Sequence, residues 1–206
     1  MITYKCSQSK PQIFPTKLNL PIWYPHPPLC IHHWQDQVID SMSNILNGCH
    51  FYKGLYVFRH DRIVYIISKS LPSLFPPTVS MHINCAVRQQ MFSRCFAETS
   101  VFSDLNATRP DITIIDENNR KVFILEVGCC FDCSLEEAYL TKLVNYNPLV
   151  QQISGLGYKS QYLVLIFSSL GHVHRPVIRG LRMGGFTKAR AKQLSKYCSI
   201  YIQLRT

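Results

Sequence analysis

"RPDITIIDENNRKVFILEVGCCFD", residues 109–132, carries five acidic side chains in 24 residues of a chain whose net charge is +10. ITII (112–115) and KVFILEV (121–127) within it read as strands, joined by the turn-rich DENNR. A hairpin in which Asp116 faces Lys121 leaves a four-residue loop, a common length. That register sets Asp111 opposite Glu126, on one face and with Cβ atoms about 4.5–5.5 Å apart. Thr113, Ile115, Val122 and Ile124 share that face; Ile112, Ile114, Phe123 and Leu125 fill the other. Both faces are apolar, so the hairpin is interior, where two unpaired like charges are expensive. Converging inward carboxylates suit a hard divalent cation with oxygen ligands.

Around this hairpin the pattern is helix, strand, strand, helix, strand, helix, an α/β sandwich. Helical spacing covers 34–47 and 55–73, the second ended by Pro72, and a short helix is expected over 86–97. PSLFPPTVS (72–80) reads as loop. After the hairpin, Ser134 three residues before Glu137 forms a capping-box pattern. Leu135, Tyr139, Leu143 and Tyr146 then make one helical stripe, with Pro148 closing or kinking the helix. Lys142 falls inside that stripe, about 20° from Leu135. Such a lysine either snorkels to the rim or reaches the carboxylates, where it could orient a water or offset charge on a phosphate. QYLVLIFSS (161–169) reads as a buried strand, followed by two basic helical segments broken at Gly184-Gly185. His172 and His174, just after that strand, suit either phosphate contact or loop capping.

With 206 residues, 47% of them hydrophobic, the chain can bury one domain of roughly 150 residues plus an appendage. No run approaches the ~18–20 apolar residues of a membrane span, and the N-terminus lacks secretory-signal order, so a soluble intracellular protein is expected. Nine cysteines, an odd count, favour thiols or metal ligands over a disulfide framework. Cys130-Phe131-Asp132-Cys133, without a second pair at zinc-finger spacing, reads as strand-end packing rather than metal or redox chemistry. All twelve acids lie between Asp36 and Glu137, and the 69 residues beyond carry ten cations. A C-terminal third of that kind favours a polyanion, with nucleic acid the commonest partner.

RPD, a strand, E-V-x-C-x-F-D and a helix bearing K-x-x-x-Y resemble the PD-(D/E)xK nuclease core. More narrowly, they resemble the restriction-like endonuclease domain at the C-terminus of site-specific non-LTR retrotransposon reverse transcriptase proteins. The resemblance runs over about residues 41–198 through SMSNILNGC, RHDRI, RPDITIID, LEVGCCFD, TKLVNYNPLVQQISGLGY, LVLIFSSLGHVHRPVIRGL and KARAKQLSKYCS. It implies a restriction-endonuclease-like core, a central mixed sheet flanked by helices, preceded by a degenerate zinc-knuckle-like segment. The domains it implies are a Pro-rich arm (1–29), the knuckle-like segment (30–54), the nuclease core (55–170) and a basic helical segment (171–206).

By the same resemblance Asp111 and Glu126 hold magnesium or manganese, and Lys142 is the catalytic lysine. The simplest motif places that lysine two residues after the acid, where Gly128 stands here. Asp132, Asn145, Tyr146, Arg59 and His60 are implied as supporting residues, Arg59 and His60 approaching the site or the DNA backbone. Asn145 stands where the family often has a second lysine. Arg175, Arg179, Arg182, Lys188, Arg190, Lys192 and Lys196 would track DNA, with element RNA as a further partner. The knuckle equivalents are Cys30, His33, Asn44 and Cys49, with His50 or His32 as substitutes; Asn44 is a poor ligand, so zinc is not expected. No Tyr-x-Asp-Asp signature is present, so the chain reads as a nuclease without its polymerase, while the departure from the pattern after Ser199 favours a non-cutting remnant. A nuclear location follows from the resemblance, and the alternative function is a non-cutting nucleic-acid-binding remnant.

Overall fold

A computed structural model describes Cys49 and residues 53–88, 91–92, 109–173 and 175–203. The Pro-rich arm, the helix expected over 34–47, Cys30, His32, His33, Asn44, His50 and His174 lie outside the described residues. The elements are α1 (Lys53–Ser70), β1 (Ser80–Ile83), β2 (Ile112–Asp116), β3 (Lys121–Cys130), α2 (Leu135–Gly155), β4 (Lys159–Ser168), α3 (Arg175–Met183) and α4 (Lys188–Gln203). Among the described residues no helix is long and apolar enough to cross a membrane.

The sheet is mixed, in the order β1-β2-β3-β4. β2 and β3 form the expected hairpin, with Asp116 on Lys121 and Ile112 on Leu125. Within its loop Arg120 adopts a φ of 49°. Asp116 accepts hydrogen bonds from the Asn119 backbone N–H (3.1 Å) and side-chain amide (2.8 Å), an Asx turn that explains why DENNR turns here. β3 and β4 run parallel, from Lys121 on Lys159 to Cys130 on Ser168, with α2 as the crossover.

Strand alternation sorts the two faces as expected. Ile112, Ile114 and Leu125 join Leu163 and Leu165 beneath Ile63 and Ile67 of α1, Leu181 of α3 and Leu194 and Ile202 of α4. Ile115, Val122 and Ile124 pack with Tyr146, Leu149 and Ile153 of α2. Helices therefore cover both faces of a sheet whose central strands are buried on both sides.

Five expectations are corrected. PSLFPPTVS is not all loop: Pro72–Leu74 form a 3-10 turn, and Ser80 opens β1. β1 is a four-residue, largely exposed edge strand without apolar alternation, and only its pairing with β2 defines it. Residues 85–88 are not helical, while 89–90 and 93–97 of that expected helix lie outside the described residues. Pro148 does not close α2, which continues to Gly155. Leu149 and Ile153 beyond it are fully buried, and that burial offsets the one backbone hydrogen bond proline removes. The buried stripe also turns away from Tyr139, which is 36% exposed, and runs instead through Tyr146, Leu149 and Ile153. Finally, Ser134 is the N-cap of α2 but its side chain makes no capping bond. It ends the 3-10 turn Asp132–Ser134 at φ −106°, ψ 7°, not the extended conformation that aims a cap hydroxyl at the first N–H groups.

Candidate active site

Asp111 and Glu126 lie one step past the last ladder pair of the hairpin, Ile112 on Leu125, and both are buried. They bridge the strands by exchanging bonds through their side chains. The Val127 N–H donates to Asp111 Oδ2 at 2.6 Å, and the Asp111 N–H donates to Glu126 Oε2 at 3.3 Å. Each carboxylate is thereby aimed by the backbone of the opposite strand, which fixes its direction.

Two cations meet this pair from opposite helices. From α2, Lys142 Nζ donates to Glu126 Oε1 in an ion pair, its side chain only partly exposed. From α1, His60 Nε2 lies 3.3 Å from Asp111, while its Nδ1 lies 3.0 Å from Asp61. The stem of Lys142 crosses β3 over Gly128: a Cβ there would stand 3.2 Å from Lys142 Cε and 2.6 Å from Ile166 Cδ1. The glycine two residues after Glu126 is thus the gap through which a helix lysine reaches the acid.

Electrostatics follow from this packing. Burial, and then the negative charge of Asp111, push the Glu126 carboxyl above its usual range, while Lys142 opposes the rise. The hydrogen bond to Asp111 raises His60 to about 9 against the opposing effect of burial, so its imidazole is cationic at neutral pH. A cationic imidazole is a donor and not a metal ligand.

Beneath the lysine lies a tyrosine pair, Tyr146 and Tyr162, with ring centroids 5.6 Å apart. Tyr162 donates to the Lys142 carbonyl at 3.0 Å and Tyr146 to the Arg109 carbonyl at 3.0 Å, tying α2 to β4 and to the segment entering Asp111. The Asn84 N–H donates to the Asp111 carbonyl at 2.8 Å, and Arg109 Nε donates to the Asn84 carbonyl at 2.6 Å. Tyr162 and Asn84 were not among the residues singled out from the sequence. The alternation of β4 could have placed Tyr162 on the α2 side; Asn84, at a φ of 52°, left no comparable signal.

The other expected residues are distributed more widely. Asn145 is exposed on α2. Arg59 is buried, its guanidinium 5.7 Å from the Tyr56 ring centroid and close enough to Cys129 to lower that thiol's pKa. Burial nevertheless leaves Cys129 raised to about 11 and Cys130 to about 12, so both stay protonated, in keeping with strand-end packing. Cys49 is fully buried. Asp132 follows β3 and binds Ser168 and His172. Arg175, Arg179, Arg182, Lys188, Arg190, Lys192 and Lys196 are all exposed on α3 and α4. Arg179, Arg182 and Lys188 border a surface hollow of about 400 Å³.

Among the described residues no three His, Cys, Asp or Glu side chains gather into a metal-ligand set. The centre therefore offers two carboxylates. That donor set fits magnesium or manganese, which take one or two carboxylates and complete their shells with water and phosphate oxygens. It does not fit zinc, which wants nitrogen or sulfur ligands.

No family model matches the chain, and no curated protein matches it. Among solved structures it is similar to an N-terminal domain of a reptarenavirus L protein, at 10% identity and a TM-score of 0.41, over 84% of each chain. That likeness is too distant to bear on activity.

Proposed function

We propose that this chain is a metal-dependent DNA endonuclease domain of the PD-(D/E)xK type, related to the restriction-like nuclease of site-specific non-LTR retrotransposons and acting in the nucleus. The observation that carries the proposal is the meeting of Asp111, Glu126 and Lys142 at the end of the β2–β3 hairpin. Two opposed carboxylates and a lysine threaded past a glycine form a costly buried arrangement that packing alone does not require.

Magnesium or manganese held by Asp111 and Glu126 would supply a more acidic water and positive charge against the scissile phosphate. Lys142 orients the attacking water or offsets the charge that builds on the phosphate oxygens. The backbone N–H groups of Val127 and Asp111 keep both carboxylates aimed across the strand gap. His60, 3.3 Å from Asp111, holds that carboxylate in position from α1. The exposed cations of α3 and α4 supply salt-sensitive attraction to the DNA backbone.

Nicking of supercoiled DNA in manganese tests the proposal against Asp111→Ala and Lys142→Ala. Cutting by the parent that both substitutions abolish supports it; cutting that survives Asp111→Ala refutes this site. The second reading, a DNA-binding domain that no longer cuts, is favoured by Asn145, which stands exposed on α2 where the family often has a second lysine. Salt-dependent DNA binding without nicking would establish it.

A further inference from the structure

Beyond β3 stands a second polar cluster with no part in the metal centre. Asp132 lies in the 3-10 turn that follows the strand. One of its oxygens accepts from the hydroxyl of Ser168, the last residue of β4, and the other lies 2.5 Å from His172 Nδ1. Ser168 is fully buried, whereas the His172 side chain is 48% exposed. With Nδ1 on the carboxylate, Nε2 is the nitrogen left to meet a ligand, and an imidazole so held keeps one orientation.

Pinning the loop does not require His172. The Leu170 N–H donates to Ser168 Oγ at 3.0 Å and the Gly171 N–H to the Ser168 carbonyl at 3.0 Å. Gln203 of α4 donates to the Leu170 carbonyl at 3.3 Å, and Gly171, at a φ of 76°, packs too closely on Gln203 and Ser199 to admit a side chain. The loop is fixed from both sides before the imidazole is considered. A buried serine, a carboxylate and a half-exposed histidine in series form a mount, and the mounted group faces out.

β3 and β4 are parallel, so Asp132 and His172 sit at the carboxyl ends of both strands, the rim where open α/β sheets gather their ligands. Cys130 lies four residues past Glu126, roughly 13 Å along β3 at ~3.3 Å per residue. One phosphate cannot touch both centres, but one DNA strand can. The exposed Arg175 opens α3 three residues after His172.

The geometry points to His172, mounted on Asp132, as a contact for a DNA phosphodiester a few nucleotides from the bond cut at Asp111 and Glu126. As an imidazolium it donates from Nε2 to a phosphate oxygen, and it acts by positioning the strand, not in the chemistry. The contact presupposes the nuclease function proposed above, but it is read out by binding and needs no cutting.

The test is fluorescence anisotropy of a labelled DNA duplex in chelator at about pH 6, over a series of salt concentrations. His172→Gln keeps a donor for Asp132 and removes the charge. It should weaken binding several-fold at low salt and reduce the slope of log K against log salt by about 0.9, the value of one phosphate contact. His172→Arg should keep the parental slope. A merely structural histidine would lower the melting temperature in His172→Gln and leave the slope alone, and that result overturns the contact, as does a parent that does not bind the duplex. A slope change in a protein that never nicks would count against the nuclease and leave this contact standing.

Discussion

At the scale of single residues, Gly128 decides how the lysine is supplied. In the simplest form of the motif that this hairpin resembles, a lysine two residues after the acid shares its strand and its face; here Gly128 stands at that position, with the Lys142 stem from α2 packed over it. Gly128→Lys in a Lys142→Ala background should therefore restore part of the nicking that Lys142→Ala loses, because removing one stem makes room for the other. Gly128→Lys alone should be less active than the parent and less stable by about 1–3 kcal/mol, since two stems would compete for one channel and press on Ile166. Plasmid nicking and urea unfolding of the three variants decide it; a double variant as inert as Lys142→Ala would sink the idea. His60 carries the second residue-scale prediction. Its pKa is raised from 6.5 to about 9, so its contribution to stability is complete below 6.5 and fades as pH climbs through about 9. In chelator, His60→Gln should be less stable than the parent by on the order of 2 kcal/mol near pH 6, with the gap closed near pH 10. Saturating magnesium should bring the His60 titration, followed by NMR, back down toward 6.5; a titration indifferent to magnesium would exclude the ion from Asp111.

At the scale of elements, the ends of α2 and β4 behave differently from what their sequences suggest. SLEE at the start of α2 has the pattern of a capping box, and a cap serine removed usually costs about 1 kcal/mol. Ser134 makes no such bond, because the 3-10 turn that it ends keeps its backbone out of the extended conformation of a cap. Ser134→Ala should accordingly shift the urea midpoint little, by less than about 0.5 kcal/mol in stability; a loss of the full cap value would show that the box forms. Gly171 is the opposite case. A Cβ there would lie 2.2 Å from Gln203 Cγ and 2.8 Å from the Ser199 carbonyl, in a backbone region that L side chains avoid. Gly171→Ala should cost about 2 kcal/mol or more by thermal or urea unfolding, since backbone and side chain both resist it. α4 is attached to the sheet through this turn, so the loss should also loosen the cationic face that α4 carries.

At the scale of the whole molecule, charge and chemistry occupy different parts of one sheet. The carboxylates close the β2–β3 hairpin, while Lys188, Arg190, Lys192 and Lys196 stand exposed along α4, whose apolar side packs into the core shared with α1 and α3. For α4 this division is amphipathicity with a consequence: the helix is anchored by Leu194, Cys198 and Ile202 and free to present cations outward. Lys192→Gln with Lys196→Gln should weaken binding to unrelated duplexes alike and reduce the salt slope by up to about two contacts, without changing unfolding. A loss confined to one DNA sequence would instead mark these lysines as readers of bases.

Much of this was legible in the chain itself. Alternation and the turn DENNR determined the hairpin, its register and the assignment of Ile112 and Ile114 to one core and Ile115 and Ile124 to the other, because strand periodicity is a local property. The same register aligned Asp111 with Glu126, and helical spacing put Lys142 on the inner side of α2. Only the tertiary structure decided that Lys142 passes Gly128 to reach Glu126, that His60 takes Asp111, and that Asp132 holds His172 40 residues away. It also decided that β1 is a strand and that α2 runs through Pro148. These features depend on partners distant in sequence: an edge strand is defined by its neighbour, a proline is tolerated where later residues bury enough surface, and a side chain's reach depends on what the facing element leaves open.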